Sequence, residues 1–487
     1  MPSNTTSANG SKTIILWFRK DLRLQDNAAL STAVSQGLTI IPVYIREPQE
    51  AATGPLGAAQ AWWLHHSLTA LSASLEKLGS RLLLRSGPAQ EVIPALMAET
   101  GASGIYWNRR YDPNGIAIDK QIKEAYCQHG LGVKSFAGQI LHEPTRLKTG
   151  AGNNFRVYTP FWKAFEASTE PPEPIPAPQA IAAPDAWPSS EDLKDWKLVP
   201  TKPNWAARFP EFWTPGEDGA HKRLAAFIEN GLAGYRTLRD SPDKPNVSML
   251  SPHLALGEIS PATIWHATRG LTDSHSAEDV IHFRKELIWR DFSYHLLFHF
   301  PALRNKNWNP KFDAFPWRDA PEALEKWQRG QTGYPIVDAG MRQLWQTGFM
   351  HNRVRMITAS FLIKDLLIDW REGERWFRDT LVDADPASNA ASWQWVAGSG
   401  ADAAPFFRIF NPVSQGEKFD PEGQYVRRFV PELKDMPAKF IHKPSEAPFA
   451  VLKEAGVSLG KTYPLPIVDH GKARDAAMAA FQGLRGE

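Results

Sequence analysis

Several chemically versatile side chains stand at helical spacing between residues 381 and 395. Asn389 and Trp393 are four residues apart, so on a helix they share one face. Trp395 lies about 200° around the helix from Trp393 and points elsewhere. One helix could therefore present an amide and an indole to one ligand and a second indole to another. A tryptophan-rich helix buried in a core would give the same pattern.

Two aspartates come just before this helix. Asp383 and Asp385 alternate ahead of Pro386, and proline is favoured at the first position of a helix. In the simplest interpretation both carboxylates cap the helix, because aspartate side chains accept hydrogen bonds from the first backbone N–H groups.

A second candidate surface lies between residues 283 and 292. Glu286, Trp289 and Arg290 occupy positions i, i+3 and i+4 and so share a helical face. A carboxylate and a guanidinium beside an indole are typical of a salt-bridged surface. They are equally typical of a polar, stacking surface for a nucleic acid base, and the spacing does not separate the two.

A third segment, residues 348–356, opens a helix with a histidine, an asparagine and two arginines. Asn352 and Met356 are four apart, Arg353 lies one step around the helix, and Arg355 faces another way. Positive charge at a helix N-terminus opposes the helix dipole. Local conflicts of this kind concentrate at functional sites, so the segment is a candidate site.

Two serines mark a fourth candidate. Ser251 precedes a proline that opens an apolar segment, which predicts a helix N-cap at Ser251. With Ser248 close by, this helix N-terminus is also a natural seat for a phosphate. Taken alone, the stretch favours plain capping.

The elements that must position these residues differ between the two halves of the chain. The first half alternates short apolar runs with helical patterns, which predicts an α/β domain with a doubly wound parallel sheet. Ligands of such sheets bind at the carboxyl ends of strands, here 19–26 and 46–48. The predicted strands are Thr13–Phe18, Thr39–Ile45, Arg81–Arg85 and Gly104–Trp107, and the predicted helices are Asn27–Gly37, Ala58–Gly79 and Ala89–Gly101.

The second half is predicted to be all-α, after a linker dense in proline and alanine. We expect a disordered start at 1–12, an α/β domain at 13–140, a linker at 141–215 and a helical domain at 216–487. The predicted helices of the second half are His221–Asn230, Pro261–Arg269, Ala277–His299, Pro321–Arg329, Pro335–Gly348, Asn352–Trp370, Glu374–Leu381 and Gly471–Leu484.

Composition limits the functional classes. A chain of 487 residues exceeds the size of one core, which agrees with two domains. The net charge of +2 gives no global signal for nucleic acid, so DNA binding would need a local basic patch.

The single cysteine, Cys127, excludes a disulfide framework and a multi-cysteine metal site and fits the cytoplasm. No apolar run approaches the ~20 residues that span a bilayer. The 19 tryptophans could fill a core, stack on flat ligands or relay electrons.

Together the motifs resemble the photolyase/cryptochrome family along nearly the whole chain. The resemblance is carried by Leu16–Asn27, Thr332–Arg342, Met350–Met356 and Asp402–Pro412. It implies an α/β antenna domain joined by a long linker to a helical domain that holds a U-shaped FAD. The stretch from Trp107 to Pro113 resembles relatives of plant cryptochromes, which implies the class of photolyases nearest to them, class III.

The resemblance also implies the residues that bind FAD. Arg355 matches an arginine that pairs with Asp383 beside the isoalloxazine, and Asn389 matches the residue at flavin N5. The full set of implied FAD contacts is Tyr235, Val247, Ser248, Met249, Leu250, Ser251, Arg290, Asn352, Arg355, Asp383, Ala384, Asp385 and Asn389.

A flipped pyrimidine dimer and an electron path are implied in the same way. Glu286 and Asn389 are the implied catalytic residues, with Glu286 hydrogen-bonding the base edge of the dimer. The electron path from the surface to the flavin matches Trp317, Trp370 and Trp393, although Trp345 and Trp376 could offer a branch. The implied contacts to dimer and DNA are Glu286, Trp289, Arg290, Asn352, Arg353, Met356, Trp395 and Arg408.

By resemblance, the activity is light-driven repair of cyclobutane pyrimidine dimers in single- or double-stranded UV-damaged DNA. An antenna pigment passes energy to reduced FAD, an electron passes to the dimer, the ring splits and the electron returns. The dimer must leave the base stack, as in other base-flipping enzymes. We expect a monomer that does not associate with membranes.

Some positions depart from the family pattern. Phe283 replaces a tryptophan found in many bacterial members, and Met249 replaces a basic residue. Asn114 is a candidate antenna contact, whereas Gly115 cannot supply the carboxylate that folate-binding relatives often have there. We expect 5,10-methenyltetrahydrofolate as the antenna, with 8-hydroxy-5-deazaflavin as the alternative.

Other functions remain open. A cryptochrome photoreceptor is the main alternative, although plant cryptochromes usually carry aspartate where this chain has Asn389. A (6-4) photolyase would need a histidine pair in place of Met350–Arg353. A nicotinamide-dependent flavoprotein finds no glycine-rich dinucleotide fingerprint after the first strand.

Overall fold

The computed structural model describes residues 12–48, 56–127, 132–271, 276–402 and 407–484. The predicted disordered start, 1–12, lies outside these ranges except for Lys12. The centre of the Asp402–Pro412 motif, residues 403–406, also lies outside them.

The first domain is a five-stranded parallel sheet in the order β3-β2-β1-β4-β5. In β1, Ile14, Leu16 and Phe18 pack into one hydrophobic cluster, whereas Ile15 and Trp17 pack into another on the opposite face. This alternation buries both faces of the central strand. The elements are β1 Thr13–Phe18, α1 Ala28–Ser35, β2 Thr39–Arg46, α2 Ala58–Lys77, β3 Leu83–Ser86, α3 Ala89–Thr100, β4 Gly104–Asn108, α4 Pro113–Cys127 and β5 Gly132–Phe136.

The predicted doubly wound parallel sheet is confirmed, although the third strand starts later than predicted and α4 and β5 were not predicted. The third strand starts at Leu83 instead of Arg81, whose guanidinium donates to the Pro188 carbonyl. The unpredicted strand β5 pairs with β4 and, among the described residues, with no other strand. As an edge strand with no fully buried residue, β5 has no apolar run that would reveal it.

The second domain is helical, as predicted. The helix α5, Tyr158–Glu166, lies within the 141–215 stretch and packs against α10. The remaining helices are α6 Glu217–Asn230, α7 Tyr235–Leu238, α8 Ser251–Leu256, α9 Pro261–Ala267, α10 Ala277–His299, α11 Pro321–Gln328, α12 Pro335–Thr347, α13 Asn352–Ser360, α14 Trp370–Thr380, α15 Pro386–Ala397, α16 Pro412–Phe419, α17 Gln424–Phe429, α18 Ala438–Ile441, α19 Phe449–Glu454 and α20 His470–Gly483.

The predicted single helix from 352 to 370 is wrong. The chain forms α13, then a π-helical turn at Phe361–Asp365, and starts α14 at Trp370. Leu367 has a left-handed backbone (φ 55°), which ends the helical path. The side chain of Asp369 then caps the new helix by accepting from the Arg371 N–H. Apolar periodicity continues across this break, so the pattern alone does not show it.

Contacts between the domains are both apolar and polar, and Leu256, Phe349 and Val382 pack in one cluster with residues of the first domain. The Glu217 carboxylate accepts from the backbone N–H groups of Leu24 and Gln25, both at 2.8 Å. The Glu258 carboxylate accepts from the Trp63 indole at 2.9 Å. The first two bonds hold the loop after β1, and the third holds α2, against the helical domain. Among the described residues, no helix is long and apolar enough to cross a bilayer.

Candidate active site

The start of α15 uses one aspartate as a cap and leaves the other for a different role. Asp385 Oδ1 accepts from the backbone N–H groups of Ala387 and Ser388 at 3.0 and 2.8 Å. Its Oδ2 accepts from the Tyr294 hydroxyl at 2.6 Å. The interpretation that both aspartates cap this helix is therefore wrong, because Asp383 makes no bond to its N-terminus.

Asp383 instead joins three elements. Its Oδ2 accepts from the Ser251 hydroxyl at 2.6 Å and from Arg355 at 2.7 Å. Arg355 also donates from Nε to the Met350 carbonyl, at 2.7 Å, which fixes the plane of the guanidinium. The other oxygen of Asp383, Oδ1, is buried and has no hydrogen-bond partner among the described residues. A buried carboxylate oxygen without a partner is costly, so this atom fits a donor on a bound ligand.

The predicted N-cap at Ser251 is wrong. The cap position is Leu250, and Ser251 is the first residue of α8. Its hydroxyl reaches Asp383, 132 residues away, instead of its own helix. Met249, just before, has a left-handed backbone with φ 52°. Such strain in a non-glycine residue often accompanies a ligand clamp.

Asn389 lies one turn into α15. Its Nδ2 donates to the backbone carbonyl of Glu374 at 3.1 Å and to the Glu374 carboxylate at 3.0 Å. These two bonds fix the orientation of the amide, and its oxygen Oδ1 points away from the Glu374 atoms that accept from Nδ2. The residues Asp383, Asp385 and Asn389 thus form a continuous polar stretch held by α8, α10, α13 and α14.

The shared face of Glu286, Trp289 and Arg290 on α10 divides into three environments. Glu286 forms an ion pair with Arg239, whose pKa that carboxylate raises against the opposing effect of burial. Trp289 is half-buried and stacks on Tyr158, with ring centroids 3.5 Å apart and planes 5° apart. The ion pair fits the salt-bridged alternative in part, with Arg239 instead of Arg290 as the partner, and stacking of a base on Trp289 stays a prediction.

Arg290 is tied into the protein. Its guanidinium donates to the backbone carbonyls of Gln139 at 2.6 Å and Leu254 at 3.4 Å, and it lies 5.0 Å from the Tyr294 ring centroid. These bonds make it a brace between the two domains.

The start of α13 resolves the conflict with the helix dipole. His351 caps the helix by accepting from the Arg353 N–H at 3.2 Å. Burial lowers the pKa of His351 to about 4, so the ring is neutral and able to accept. The Arg353 side chain turns away to pair with Asp240 at 2.6 Å. Asn352 is exposed, and the Met356 sulfur lies 3.8 Å from Arg353.

An open cavity of about 730 Å³ lies beside α13 and α16. Arg353, Arg408 and Lys418 supply positive charge to its lining, and Asp240 supplies one carboxylate. Arg408 is exposed. The near-neutral chain thus carries a local basic surface at this cavity.

The three tryptophans of the expected electron path lie in or against one hydrophobic cluster. Trp393 and Trp370 are buried, at 3% and 0% exposure, and Trp317 is partly buried. The ring of Trp393 packs directly on Gly373, three residues after Trp370 on α14. Trp376 packs against the same cluster and stacks on Trp345, with centroids 6.2 Å apart and planes 7° apart.

A second cavity, of about 440 Å³, lies between the domains. The ends of β1 and β2 contribute Arg19, Lys20, Arg46 and Glu47, from the segments flagged by strand position. The helical domain contributes residues that include Asp385 and Asn389. The lining also contains Tyr44, Leu64, Arg110, Trp196, Arg304 and Arg378. Asn114, the candidate antenna contact, is near the start of α4 and is not among the lining residues.

Sequence reasoning missed several residues that organise this site. Tyr294, Glu374, Tyr158 and Trp196 contact the predicted residues or line the second cavity. Tyr158 and Trp196 lie in the 141–215 stretch, which was predicted to be a linker. A large aromatic side chain in a linker was the only feature of the sequence that could have indicated a role for either residue. For the other two no local pattern distinguishes a buried partner from ordinary helix residues.

Comparisons with known proteins follow the same division of the chain. The family model "DNA photolyase" matches residues 14–179, and "FAD binding domain of DNA photolyase" matches residues 283–483. A deoxyribodipyrimidine photo-lyase of Agrobacterium fabrum is 64% identical over 97% of this chain and 98% of its own length. Cryptochrome-2 of Arabidopsis thaliana is 36% identical over 97% of this chain and 79% of its own length.

Among solved structures, a bacterial class III photolyase from Agrobacterium tumefaciens superimposes with a TM-score of 0.97. It is 63% identical, and the match covers 100% of both chains. Sequence identity, fold and the matched FAD-binding domain all agree with the resemblance carried by the motifs. The chain belongs to the DNA photolyase/cryptochrome family.

Proposed function

We propose that this chain repairs cyclobutane pyrimidine dimers in DNA with light, as a deoxyribodipyrimidine photo-lyase of class III. The observation that carries the proposal is the 64% identity, over nearly the full length, to a deoxyribodipyrimidine photo-lyase. The open basic cavity and the buried Asp383 oxygen, which has no partner among the described residues, support it, because repair needs one surface for DNA and one site for FAD. We further propose that the protein acts as a monomer in the cytoplasm.

FAD fits the stretch around Asp383. The Arg355 pair keeps the Asp383 carboxylate oriented, and Oδ1 is the acceptor for a ligand N–H. Asn389 presents its amide from α15, and Ser248 lies before the strained Met249 near α8. The other expected contacts are Tyr235, Val247, Leu250, Ser251, Arg290, Asn352, Ala384 and Asp385. When bound and reduced, FAD supplies a light-driven electron transfer that opens the cyclobutane ring, and the electron returns at the end.

We place the flipped dimer against Trp289 and Trp395, with Asn352, Arg353 and Met356 nearby. Stacking on indoles compensates for the base stacking that is lost when the dimer leaves the duplex. The free energy cost of unstacking is smallest at a damaged step. The Glu286 carboxylate pairs with Arg239 and lies one turn before Trp289 on α10. Glu286 hydrogen-bonds the base edge of the dimer in this proposal, and Arg408 contacts the DNA backbone.

We propose that Trp393, Trp370 and Trp317 carry the electron that first reduces the flavin. The stacked Trp376 and Trp345 offer a second exit, since Trp345 is 51% exposed. The two exits are separable, because Trp317 and Trp345 lie at the ends of different routes. A Trp317→Phe protein that still photoreduces its flavin, while Trp317→Phe with Trp345→Phe does not, would support the branch.

We propose that the end of the cavity between the domains that is lined by the first domain and Trp196 holds the antenna chromophore, whereas the end lined by Asp385 and Asn389 belongs to FAD. Tyr44 and Trp196 give the antenna end an aromatic wall. Arg19, Lys20 and Arg46 favour an anionic ligand. Both 5,10-methenyltetrahydrofolate and 8-hydroxy-5-deazaflavin remain candidates, and the first is preferred. Mass spectrometry of the chromophores released by denaturation distinguishes them.

The central experiment is a repair assay. Purified protein under reducing conditions is mixed with an oligonucleotide that carries one thymine dimer, and blue light is compared with darkness. We expect dimer loss only in the light. No loss in the light would contradict repair and favour the alternative of a cryptochrome photoreceptor, to which this chain is also similar.

A further inference from the structure

Both indoles of the proposed dimer pocket are held from behind by residues outside that pocket. Trp289 on α10 and Trp395 on α15 are each partly buried, so each has a covered side and an accessible side. A ligand that contacts both rings binds well only if the ring planes and their separation are set beforehand.

The plane of Trp289 is set by Tyr158, the first residue of α5. The two rings are nearly parallel, with centroids 3.5 Å apart and planes at 5°. The Tyr158 hydroxyl donates to the Lys285 carbonyl at 3.0 Å, one turn before Trp289 on the same helix. Tyr158 is only 8% exposed. The stack and the hydroxyl bond therefore fix the Tyr158 ring, which covers one face of Trp289.

Trp395 is held by Asp402, which lies in the loop after α15. Its indole N–H donates to the Asp402 backbone carbonyl at 3.0 Å. Asp402 has a left-handed backbone with φ 55°, an uncommon conformation for a residue with a side chain. That conformation persists only where surrounding contacts impose it.

The two supports are linked. Burial raises the pKa of Asp402, and the backbone N–H of Tyr158, at the start of α5, opposes that shift. Ala401, the preceding residue, belongs to the same hydrophobic cluster as Tyr158, and Trp289 packs against that cluster. Asp402 therefore bonds Trp395 through its backbone carbonyl, and its neighbour Ala401 packs in one cluster with Tyr158.

We propose that Tyr158 and Asp402 are positioning residues that hold Trp289 and Trp395 at the spacing a flipped dimer requires. The inference rests on the proposed function, since it takes the two indoles as the dimer pocket. It adds a role for α5 and for the first residue of the Asp402–Pro412 motif. Neither residue needs to touch the dimer for this role.

The test separates recognition of damage from binding of DNA. Dark affinity is measured by fluorescence anisotropy for an oligonucleotide with a thymine dimer and for the same oligonucleotide without it. Tyr158→Leu is expected to weaken binding of the damaged strand by about threefold to tenfold, the worth of one aromatic pair. Affinity for the undamaged strand and FAD content should stay at the wild-type level. Tyr158→Phe keeps the stacked ring and should restore most of the discrimination.

A double-mutant cycle tests whether Tyr158 acts through Trp289. In a Trp289→Ala background, Tyr158→Leu should cause no further loss of discrimination. An equal loss with and without Trp289 would overturn the inference, and so would wild-type discrimination in the Tyr158→Leu single variant.

Asp402 gives a second route should Tyr158→Leu fold poorly. Asp402→Gly accepts the left-handed backbone without strain and removes only the carboxylate, whereas Asp402→Asn keeps an acceptor there. We expect reduced discrimination for the glycine variant and near wild-type discrimination for the asparagine variant. Wild-type discrimination in Asp402→Gly would remove Asp402 from the proposal. Should Trp289→Ala itself leave discrimination intact, the dimer pocket is misplaced and the inference fails with it.

Discussion

At the scale of single residues, Asp383 is the node of the proposed FAD site. Two donors, Ser251 and Arg355, converge on one of its oxygens, and the other oxygen is buried without a partner. Such an arrangement is expensive in an empty protein, because a buried polar atom without a hydrogen bond costs about 1–3 kcal/mol. A ligand that donates to this oxygen recovers that free energy.

We therefore expect Asp383→Asn to lose FAD. The change removes the charge that holds Arg355 and replaces one acceptor oxygen by a donor, so affinity should fall at least tenfold, because the lost hydrogen bonds involve charged groups. The FAD-to-protein ratio of purified protein, from its absorption spectrum, measures this. Asp319→Asn, at an exposed position, is the control and should keep full FAD content. Equal FAD content in both variants would contradict the assignment of Asp383.

His351 predicts a pH dependence at the same scale. Its pKa is lowered by burial from 6.5 to about 4, so the folded state binds fewer protons than the unfolded chain between these values. The stabilisation is complete above about pH 6.5 and is lost as the pH falls towards 4. The lost free energy of unfolding amounts to at most about 3 kcal/mol.

Chemical denaturation at a series of pH values tests this prediction. His351→Asn keeps a capping acceptor but cannot titrate, so its free energy of unfolding should fall less steeply between pH 6.5 and 4. Buried His295, whose pKa is also lowered to about 4, titrates in both proteins and cancels in the comparison. Parallel curves for the two proteins would show that His351 titrates normally.

At the scale of elements, α14 and α15 approach closely because α14 has a glycine at their contact. A Cβ on Gly373 would lie 2.1 Å from the ring of Trp393, far inside contact distance. The close approach places Trp393 beside the helix that Trp370 begins. The electron path in our proposal thus depends on the absence of a side chain at Gly373.

Gly373→Ala is expected to destabilise the protein although alanine favours helices. Better helix propensity contributes about 1 kcal/mol, whereas overpacking a core costs about 1–3 kcal/mol and displaces Trp393. We expect a lower unfolding midpoint and slower light-driven reduction of the flavin. Gly483→Ala is the matched control, because nothing lies within 4 Å of a Cβ there. Unchanged photoreduction in Gly373→Ala would argue against this contact being part of the path.

At the scale of the whole molecule, a net charge of +2 must still support DNA binding. The basic residues that matter are local, at the open cavity of Arg353, Arg408 and Lys418. Arg290, expected from the sequence to join them, braces the two domains instead. We therefore expect the electrostatic part of the DNA affinity to come from few phosphate contacts, so that a single substitution lowers it measurably.

Arg408→Ala is expected to weaken binding of DNA with and without a dimer alike. If Arg408 contacts one phosphate, the slope of log affinity against log salt should fall in magnitude by about one. Titrations of a damaged and an undamaged duplex at several salt concentrations measure it. Lys120→Ala, exposed on α4 of the other domain, should leave the slope unchanged. A loss confined to the damaged duplex would instead place Arg408 at the dimer.

The sequence alone determined the architecture and the family of this protein. Buried strands alternating with helices predicted the parallel sheet, and helical periodicity predicted the second domain, because both signals depend on neighbours within a few residues. The long motifs indicated the family for the same reason, since each is a continuous run. The break between α13 and α14 escaped this reasoning, because the apolar pattern runs through it.

Only the tertiary structure decided which side chains meet. Ser251 reaches Asp383 across 132 residues, and Tyr158 supports Trp289 from a stretch that composition marks as a linker. Arg290 faces two backbone carbonyls, although its spacing equally fits a ligand surface. Helical spacing fixes the direction of a side chain relative to its own helix. Its partner depends on how distant helices pack, and no local pattern contains that information.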